Sequence, residues 1–320
     1  MKIVTTGLLL NYRNIKYYHL QSVVYRYIAL SLHITILTSQ QKIINNQSSR
    51  KMKKVILVTG ASSGIGLACA TALASKGHTV YGSSRNIKNI VNPTFNPIEL
   101  DVTNDVSVNN AIAAIIKAEG RLDVLVNNAG NGVAGPAYTM PVESAKKQFE
   151  VNFFGVVRMC SAALPGMIST NQGLIVNISS LAGLFGLPYQ SMYSASKYAI
   201  EGYSQSLRME LRNTRIKVVL INPGDFKSAF SQNREKTPFT IEHPQLEKEY
   251  TSAVAAMEKD ESIAPDPSSL AKQLCKIVDA SNPAHRYLVG GVGQTIVPTL
   301  KAILPGSLFE KLMNDHYGIK

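Results

Sequence analysis

Tyr193 and Lys197 stand four residues apart in Ser191-Met192-Tyr193-Ser194-Ala195-Ser196-Lys197, a spacing that puts both side chains on one face of a helix. A free phenol loses its proton only near about pH 10, too high for ordinary acid–base work. A neighbouring ammonium favours the phenolate and lowers that value, so the pair would make an acid or base usable near neutral pH. The motif alone is weak, because a chain containing Tyr and Lys produces it easily by chance. Its setting is more informative. Ser180 lies thirteen residues upstream in Val176-Asn177-Ile178-Ser179-Ser180, and Asn127-Asn128-Ala129-Gly130 and Asn152 come earlier.

A second group of residues could hold a phosphate. Val55-Ile56-Leu57-Val58 runs into Thr59-Gly60-Ala61-Ser62-Ser63-Gly64-Ile65-Gly66. A glycine-rich turn between a strand and a helix lets backbone approach a pyrophosphate, and the helix start then presents its N–H groups and positive dipole end. A turn that needs glycine for backbone reasons alone reads equally well. The second strand ends in Gly82-Ser83-Ser84-Arg85-Asn86. No carboxylate stands there to bind a ribose 2′-hydroxyl, and Arg85 with Ser84 would suit a 2′-phosphate, which favours NADP(H) over NAD. The bland alternative for Arg85 is a solvated surface cation.

The elements that must position these groups alternate short apolar runs with longer helical patterns. Strands are expected at 55–58, 79–81, 97–100, 122–126, 174–178, 217–221 and 286–289. Helices are expected over 64–76, 105–119, 141–170, 191–213 and 266–279, and 225–260 reads as polar and irregular with helix-like turns. Near-continuous apolar strands are those of a parallel sheet buried on both faces. The alternation implies an α/β fold, one Rossmann-type doubly wound sheet with helices on both faces. The chemistry-bearing residues then fall at the carboxyl ends of strands, where ligands bind in such sheets.

Residues 55–230 closely resemble the short-chain dehydrogenase/reductase family, with several motifs in the family's order. Within it, the tail and Tyr287-Leu288-Val289-Gly290 are most similar to the hydroxysteroid- and retinol-dehydrogenase-like branch. The resemblance implies a seven-stranded sheet and a catalytic tetrad of Asn152, Ser180, Tyr193 and Lys197. Tyr193 would exchange a proton with the substrate oxygen, Ser180 would hydrogen-bond that oxygen, and Lys197 would bind the nicotinamide ribose and depress the Tyr193 pKa. Asn152 would position a water linking Lys197 to solvent. The cofactor contacts implied are Gly60, Ser62, Ser63, Gly64, Ile65 and Gly66 in the turn, Ser84 and Arg85 at the 2′-phosphate, and Asp101 and Val102 at the adenine. Asn128, Ala129 and Gly130 would line the cleft, beside Tyr193 and Lys197. Pro223, Gly224 and Ser228 would lie over the nicotinamide. Threonine is commoner than serine at 228, and Asp225 after Pro223-Gly224 departs from the family's usual pattern.

Composition bounds the rest. The chain has 320 residues, 45% of them hydrophobic and 17% charged, with a formal charge of +12. Residues 1–51 carry seven basic residues and no acid, so the remainder nets only +5, which suits an anionic dinucleotide as well as a polyanion. Cys69, Cys160 and Cys275 are widely spaced and match no metal or disulfide pattern, so buried thiols and a cytoplasmic setting are expected. Residues 1–51 read as a tail, a surface anchor or translated upstream sequence. The last is favoured, with the catalytic domain over 52–320 and a substrate lid at about 225–265. Phe226, Phe230, Phe239, Tyr250 and Met257 in the lid suit an apolar pocket. The expected partner is a lipophilic carbonyl or alcohol, with no metal, no nucleic acid, no membrane contact, and a dimer or tetramer. A 3-oxoacyl-thioester reductase and a nucleotide sensor without turnover are the alternatives.

Overall fold

Val55-Ile56-Leu57-Val58 carries no polar side chain and all four residues are buried, as the central strand of a doubly covered sheet requires. The computed structural model describes residues 53–228 and 234–319. The expected N-terminal extension over 1–51, and Phe230 of the expected lid, lie outside the described residues.

Seven parallel strands form the main sheet: β1 (Val55–Val58), β2 (Thr79–Ser84), β3 (Asn96–Glu99), β4 (Val124–Asn127), β6 (Gly173–Ile178), β7 (Ile216–Pro223) and β9 (Arg286–Val289). Their spatial order is β3-β2-β1-β4-β6-β7-β9. Ile56 of β1 registers with Val80 on one side and Val124 on the other. The chain therefore moves outward from β1 to β3, then returns to β4 and moves out the other way. That reversal opens a crevice at the carboxyl ends of β1 and β4.

Helices cover both faces. On one lie α1 (Gly64–Ser75) and α7 (Ser268–Asp279), where Cys69 and Leu73 meet Leu270, Leu274 and Val278. On the other, α2 (Asp105–Glu119), α4 (Gly155–Ser169) and α5 (Ser191–Glu210) bury Ile115, Met159, Ala163 and Ile200 against the sheet. The small residues of α1 permit its close packing. Asn104 caps α2 by accepting from the Ser107 N–H at 2.9 Å, and Gly120 ends it in the left-handed region at φ 75. All three cysteines are free and buried.

Three details differ from the sequence reading. The helical stretch expected over 141–170 is α3 (Val142–Phe149), a π-helical turn (Glu150–Phe154) and then α4. The segment read as irregular contains one 20-residue helix, α6 (Pro244–Ile263). Its signals are present: Pro244 at the first turn, His243 accepting from the Leu246 N–H, and Tyr250, Ala253, Val254 and Met257 buried at helical spacing. Its many charged residues obscured that period. A two-stranded parallel sheet of β5 (Val133–Ala134) and β8 (Glu235–Lys236) also went unforeseen, being too short for any pattern. After β9 come α8 (Val292–Thr295), α9 (Val297–Ile303) and α10 (Gly306–His316).

Candidate active site

The turn after β1 is held by β4's neighbours. Thr59 Oγ1 accepts from the N–H groups of Asn128 (2.9 Å) and Ala129 (3.0 Å), and Asn128 Nδ2 donates back to the Thr59 carbonyl at 2.9 Å. Gly60 sits at φ +68, where a side chain is strained, and a Cβ on Gly66 would stand 2.1 Å from the Gly60 carbonyl oxygen. The glycines are thus required by close approach of backbone, not only by turn geometry. Gly64, at φ +55, faces Ser228. Thr59, quoted in the motif without a role, is the residue that locks this turn to β4.

A cleft of about 830 Å³ opens over this turn. Ser62, Ser63 and Ile65 line it with Gly60, Gly64 and Gly66. Its far wall carries Ser84 and Arg85 at the end of β2, then Asp101 and Val102 after β3. Arg85 is exposed, and Asp101 is oriented by Thr103, whose N–H and hydroxyl donate to its Oδ1 at 2.9 and 2.8 Å. Asn128, Ala129, Gly130, Pro223, Gly224 and Ser228 complete the lining. The residues fit a dinucleotide: the tight turn leaves no room for a side chain, and α1 has no acid in its first turn to repel a phosphate.

The first turns of α5 bring Tyr193 and Lys197 to the same cleft, beside Ser180 at the end of β6. The Tyr193 phenol is hydrogen-bonded to Ser180. Lys197 donates to the Ile178 carbonyl at 3.0 Å, and its Nζ lies 5.7 Å from the centroid of the Tyr193 ring. Behind it, Glu201 accepts from Asn222 at 2.6 Å and pairs with Arg286 at 2.6 Å, while Asn222 also donates to the Ser180 carbonyl at 2.9 Å. This network ties β6, β7, β9 and α5 together beside Ser180 and Lys197.

Asn152 lies in the π-helical turn, outside the cleft lining. Its Oδ1 accepts from the Asn131 N–H at 2.9 Å, and its Nδ2 donates to the Asn131 carbonyl at 3.0 Å and to Ser196 Oγ at 3.2 Å. Ser196 in turn donates to the Tyr193 carbonyl at 2.7 Å. Asn152 therefore joins the loop after β4 to the helix that carries Tyr193. An inserted residue in a helix is a common way to aim one side chain.

The electrostatics depart from the simple Tyr–Lys reading. Burial pushes the Tyr193 phenol up to about 12, and the Ser180 hydrogen bond and Arg234 pull it back. Asp225 and Glu261 push it up further. Tyr193 is only partly covered, so solvent in the cleft offsets some of that rise. Burial also lowers Lys197 to about 8, against Glu201, which raises it. The expected depression of the phenol is thus not met, because desolvation outweighs the Ser180 hydrogen bond and Arg234.

Three residues of the cleft were not foreseen in a charged role. Arg234 and Glu261 form an ion pair with side chains 1% and 12% exposed, and both line the cleft with Asp225. Their partnership joins residues 27 apart in sequence, which no local pattern signals.

Such a cleft belongs to an oxidoreductase working with a nicotinamide dinucleotide. The family described as short chain dehydrogenase matches residues 54–238. The 3-ketodihydrosphingosine reductase of Bacteroides thetaiotaomicron is 40% identical over 83% of this chain and 99% of its own. Retinol dehydrogenase 8 of Bos taurus is 32% identical over 80% of this chain and 88% of its own. The crystal structure of a short-chain dehydrogenase from Streptomyces avermitilis superposes with a TM-score of 0.70 at 31% identity, covering 81% of this chain and 95% of that one. Other solved structures of the same fold are complexes with NADP or with NAD. The chain belongs to the short-chain dehydrogenase/reductase family, on the retinol- and hydroxysteroid-like side.

Proposed function

We propose that this chain is an NADP(H)-dependent oxidoreductase interconverting a carbonyl and a primary or secondary alcohol on a lipophilic substrate. The observation that carries the reading is the hydrogen bond between Tyr193 and Ser180, with Lys197 beside them, in one cleft with the glycine turn. The relative that acts on 3-ketodihydrosphingosine favours a ketone on a long hydrocarbon chain.

The bound dinucleotide supplies the hydride. The chain's own residues bind, orient and move the proton. The turn Gly60–Gly66 and the start of α1 hold the pyrophosphate. Ser84 and Arg85 hold the 2′-phosphate, and Asp101 and Val102 flank the adenine. Tyr193 and Ser180 donate hydrogen bonds to one substrate oxygen and stabilise the charge that develops on it. Tyr193 then gives its proton to that oxygen in reduction and takes it back in oxidation. Lys197, held by Ile178, supplies positive charge beside the phenol and reaches the nicotinamide ribose. Leu187, Phe226 and Val151 line the same cleft as the glycine turn and give it apolar as well as polar lining.

Titrating the full chain with NADPH and NADH by nucleotide fluorescence, with Arg85→Ala alongside, tests the cofactor. Arg85→Ala is expected to weaken NADPH about 10- to 100-fold and leave NADH nearly unchanged. Equal loss for both nucleotides would overturn the 2′-phosphate assignment. Turnover of long-chain ketones by the wild type and its loss in Tyr193→Phe tests the reaction.

A further inference from the structure

Ser180 has one proton to give, and the rest of the residue is pinned. Its carbonyl accepts from the Gly183 N–H at 3.0 Å and from Asn222 Nδ2 at 2.9 Å. Its hydroxyl oxygen accepts from the Ala182 N–H at 3.1 Å. The hydroxyl proton is what remains to be donated, to Tyr193 or to a ligand oxygen.

Asn222, in β7, is fully buried and spends its whole amide here. Nδ2 donates to the Ser180 carbonyl and to Glu201 Oε1 at 2.6 Å, while Oδ1 accepts from Arg286 Nη1 at 3.0 Å. Turned over, the amide would aim its NH2 at the guanidinium and its oxygen at a carboxylate and a carbonyl, so its orientation is set by Arg286 and Glu201. Arg286 closes the ring with its Nη2 on Glu201 Oε2 at 2.6 Å. Glu201 is braced in turn, since a Cβ on Gly183 would stand only 3.2 Å from its Cγ. The strand and helix around Arg286 grip the end of β7 further on. The Gly224 N–H donates to the Val289 carbonyl at 2.9 Å, and Gln294 Nε2 donates to Asp225 Oδ2 at 2.5 Å.

A buried ion pair kept for stability alone needs two partners, and desolvation offsets much of what the pairing returns. Here a third partner stands between the pair and Ser180. Neither Asn222, Glu201 nor Arg286 lines the cleft, so none of them meets a ligand.

We propose that Arg286, acting through Asn222, is a positioning residue for the reaction: it fixes Ser180 so that the hydroxyl proton meets the substrate oxygen beside Tyr193. This rests on reading the cleft as that of a carbonyl–alcohol oxidoreductase. Freed of Arg286, the amide can turn or shift, and the Ser180 carbonyl loses its partner across the sheet. Transition-state contact weakens while ligand binding does not.

The test uses the full chain, NADPH and decan-3-one. Arg286 is partly exposed, so its variants leave the core intact. Arg286→Met is expected to lower kcat about 10-fold with KM within about twofold, and Arg286→Lys, which keeps the charge without the fork, to recover part of the loss. In a Ser180→Ala background, Arg286→Met should cost less than about twofold, because the group it positions is gone. A second readout needs no turnover. With tyrosines labelled with carbon-13 at Cζ, the Tyr193 resonance is identified by its absence in Tyr193→Phe. Ser180→Ala should move it by removing the hydrogen bond, Arg286→Met should move it in the same direction, and the double variant no further than Ser180→Ala. An equal fall in kcat in both backgrounds, a change confined to KM, or an unmoved Tyr193 resonance in Arg286→Met overturns the proposal. A moved resonance in a wild type that turns over no ketone supports the positioning while sinking the oxidoreductase reading. Turnover without the coupling does the reverse.

Discussion

Lys197 gives its hydrogen bond to the carbonyl of Ile178 while standing 5.7 Å from the centre of the Tyr193 ring. The ammonium is anchored to the strand end, near the phenol but not bonded to it. Removing it takes away a charge that favours phenolate, so the phenol's effective pKa rises. In the oxidation direction, where Tyr193 must accept a proton, kcat/KM of the wild type is expected to climb with pH. For Lys197→Met the climb is expected to move to higher pH and the rate at pH 8 to fall by about 100-fold. Superimposable pH profiles would remove Lys197 from the acid–base unit.

Gly66 and Gly202 should respond to alanine in opposite ways. At Gly66 the new methyl would sit 2.1 Å from the Gly60 carbonyl, which forces the glycine turn away from α1. NADPH binding is expected to weaken more than about 10-fold, with a lower melting temperature. At Gly202, inside α5, nothing lies within 4 Å, and alanine should stabilise the helix by about 0.5–1 kcal/mol. Thermal melts and nucleotide titrations of both variants check the pair.

Asn152 serves both backbone groups of Asn131. Truncation to alanine leaves them without these partners in a covered place. A loss of about 1–3 kcal/mol in unfolding free energy is expected, accompanied by a fall in kcat larger than any change in KM, since the tie to Ser196 and the Tyr193 turn is cut. Denaturant titration and steady-state kinetics decide it; a KM effect alone would argue against a positioning role.

Asp225 carries a stability cost with a defined pH window. Its folded pKa of about 6 lies above the ordinary value of 3.8, so the folded chain binds more protons than the unfolded one between those values. Wild-type stability therefore drops as pH rises from 4 to 6, and the cost persists above 6. Asp225→Asn should be more stable than the wild type at pH 7–8 by on the order of 1 kcal/mol, the residue being partly open to solvent. The advantage should fade as pH falls through 6 toward 4. A difference that does not depend on pH would point to packing instead.

The sheet was legible because its central strands are nearly all apolar and its helices end at clear signals such as Gly77 and Gly120. The glycine turn, Ser180, Tyr193 and Lys197 were found because each belongs to a short, ordered motif at a strand end. Helix α6 was obscured because charged residues dilute its apolar period, although Pro244 marked its start. The two-residue strands β5 and β8 hold no periodicity at all. Arg234, Glu261 and Gln294 were missed for another reason: their meaning lies in meeting Asp225 across the fold, and sequence spacing carries no trace of that meeting. The direction of the Tyr193 shift also depends on burial, which a four-residue spacing cannot report.

The way Gln294 reaches Asp225 bears on how the protein comes to be made. The glycine turn, Arg85 and Tyr193 all precede residue 200, whereas Gln294, which bonds Asp225, and Tyr317 come after residue 290. β9 also follows β7 only after 62 intervening residues, 224–285, before Val289 can pair with Pro223. Contacts of such separation form late, after the cost of closing their loops has been met. During synthesis the N-terminal half of the sheet can consolidate first, with the contacts of Gln294 and β9 formed only after residues 286–294 have emerged. A truncated product would then be a nucleotide binder with an unfinished catalytic mouth.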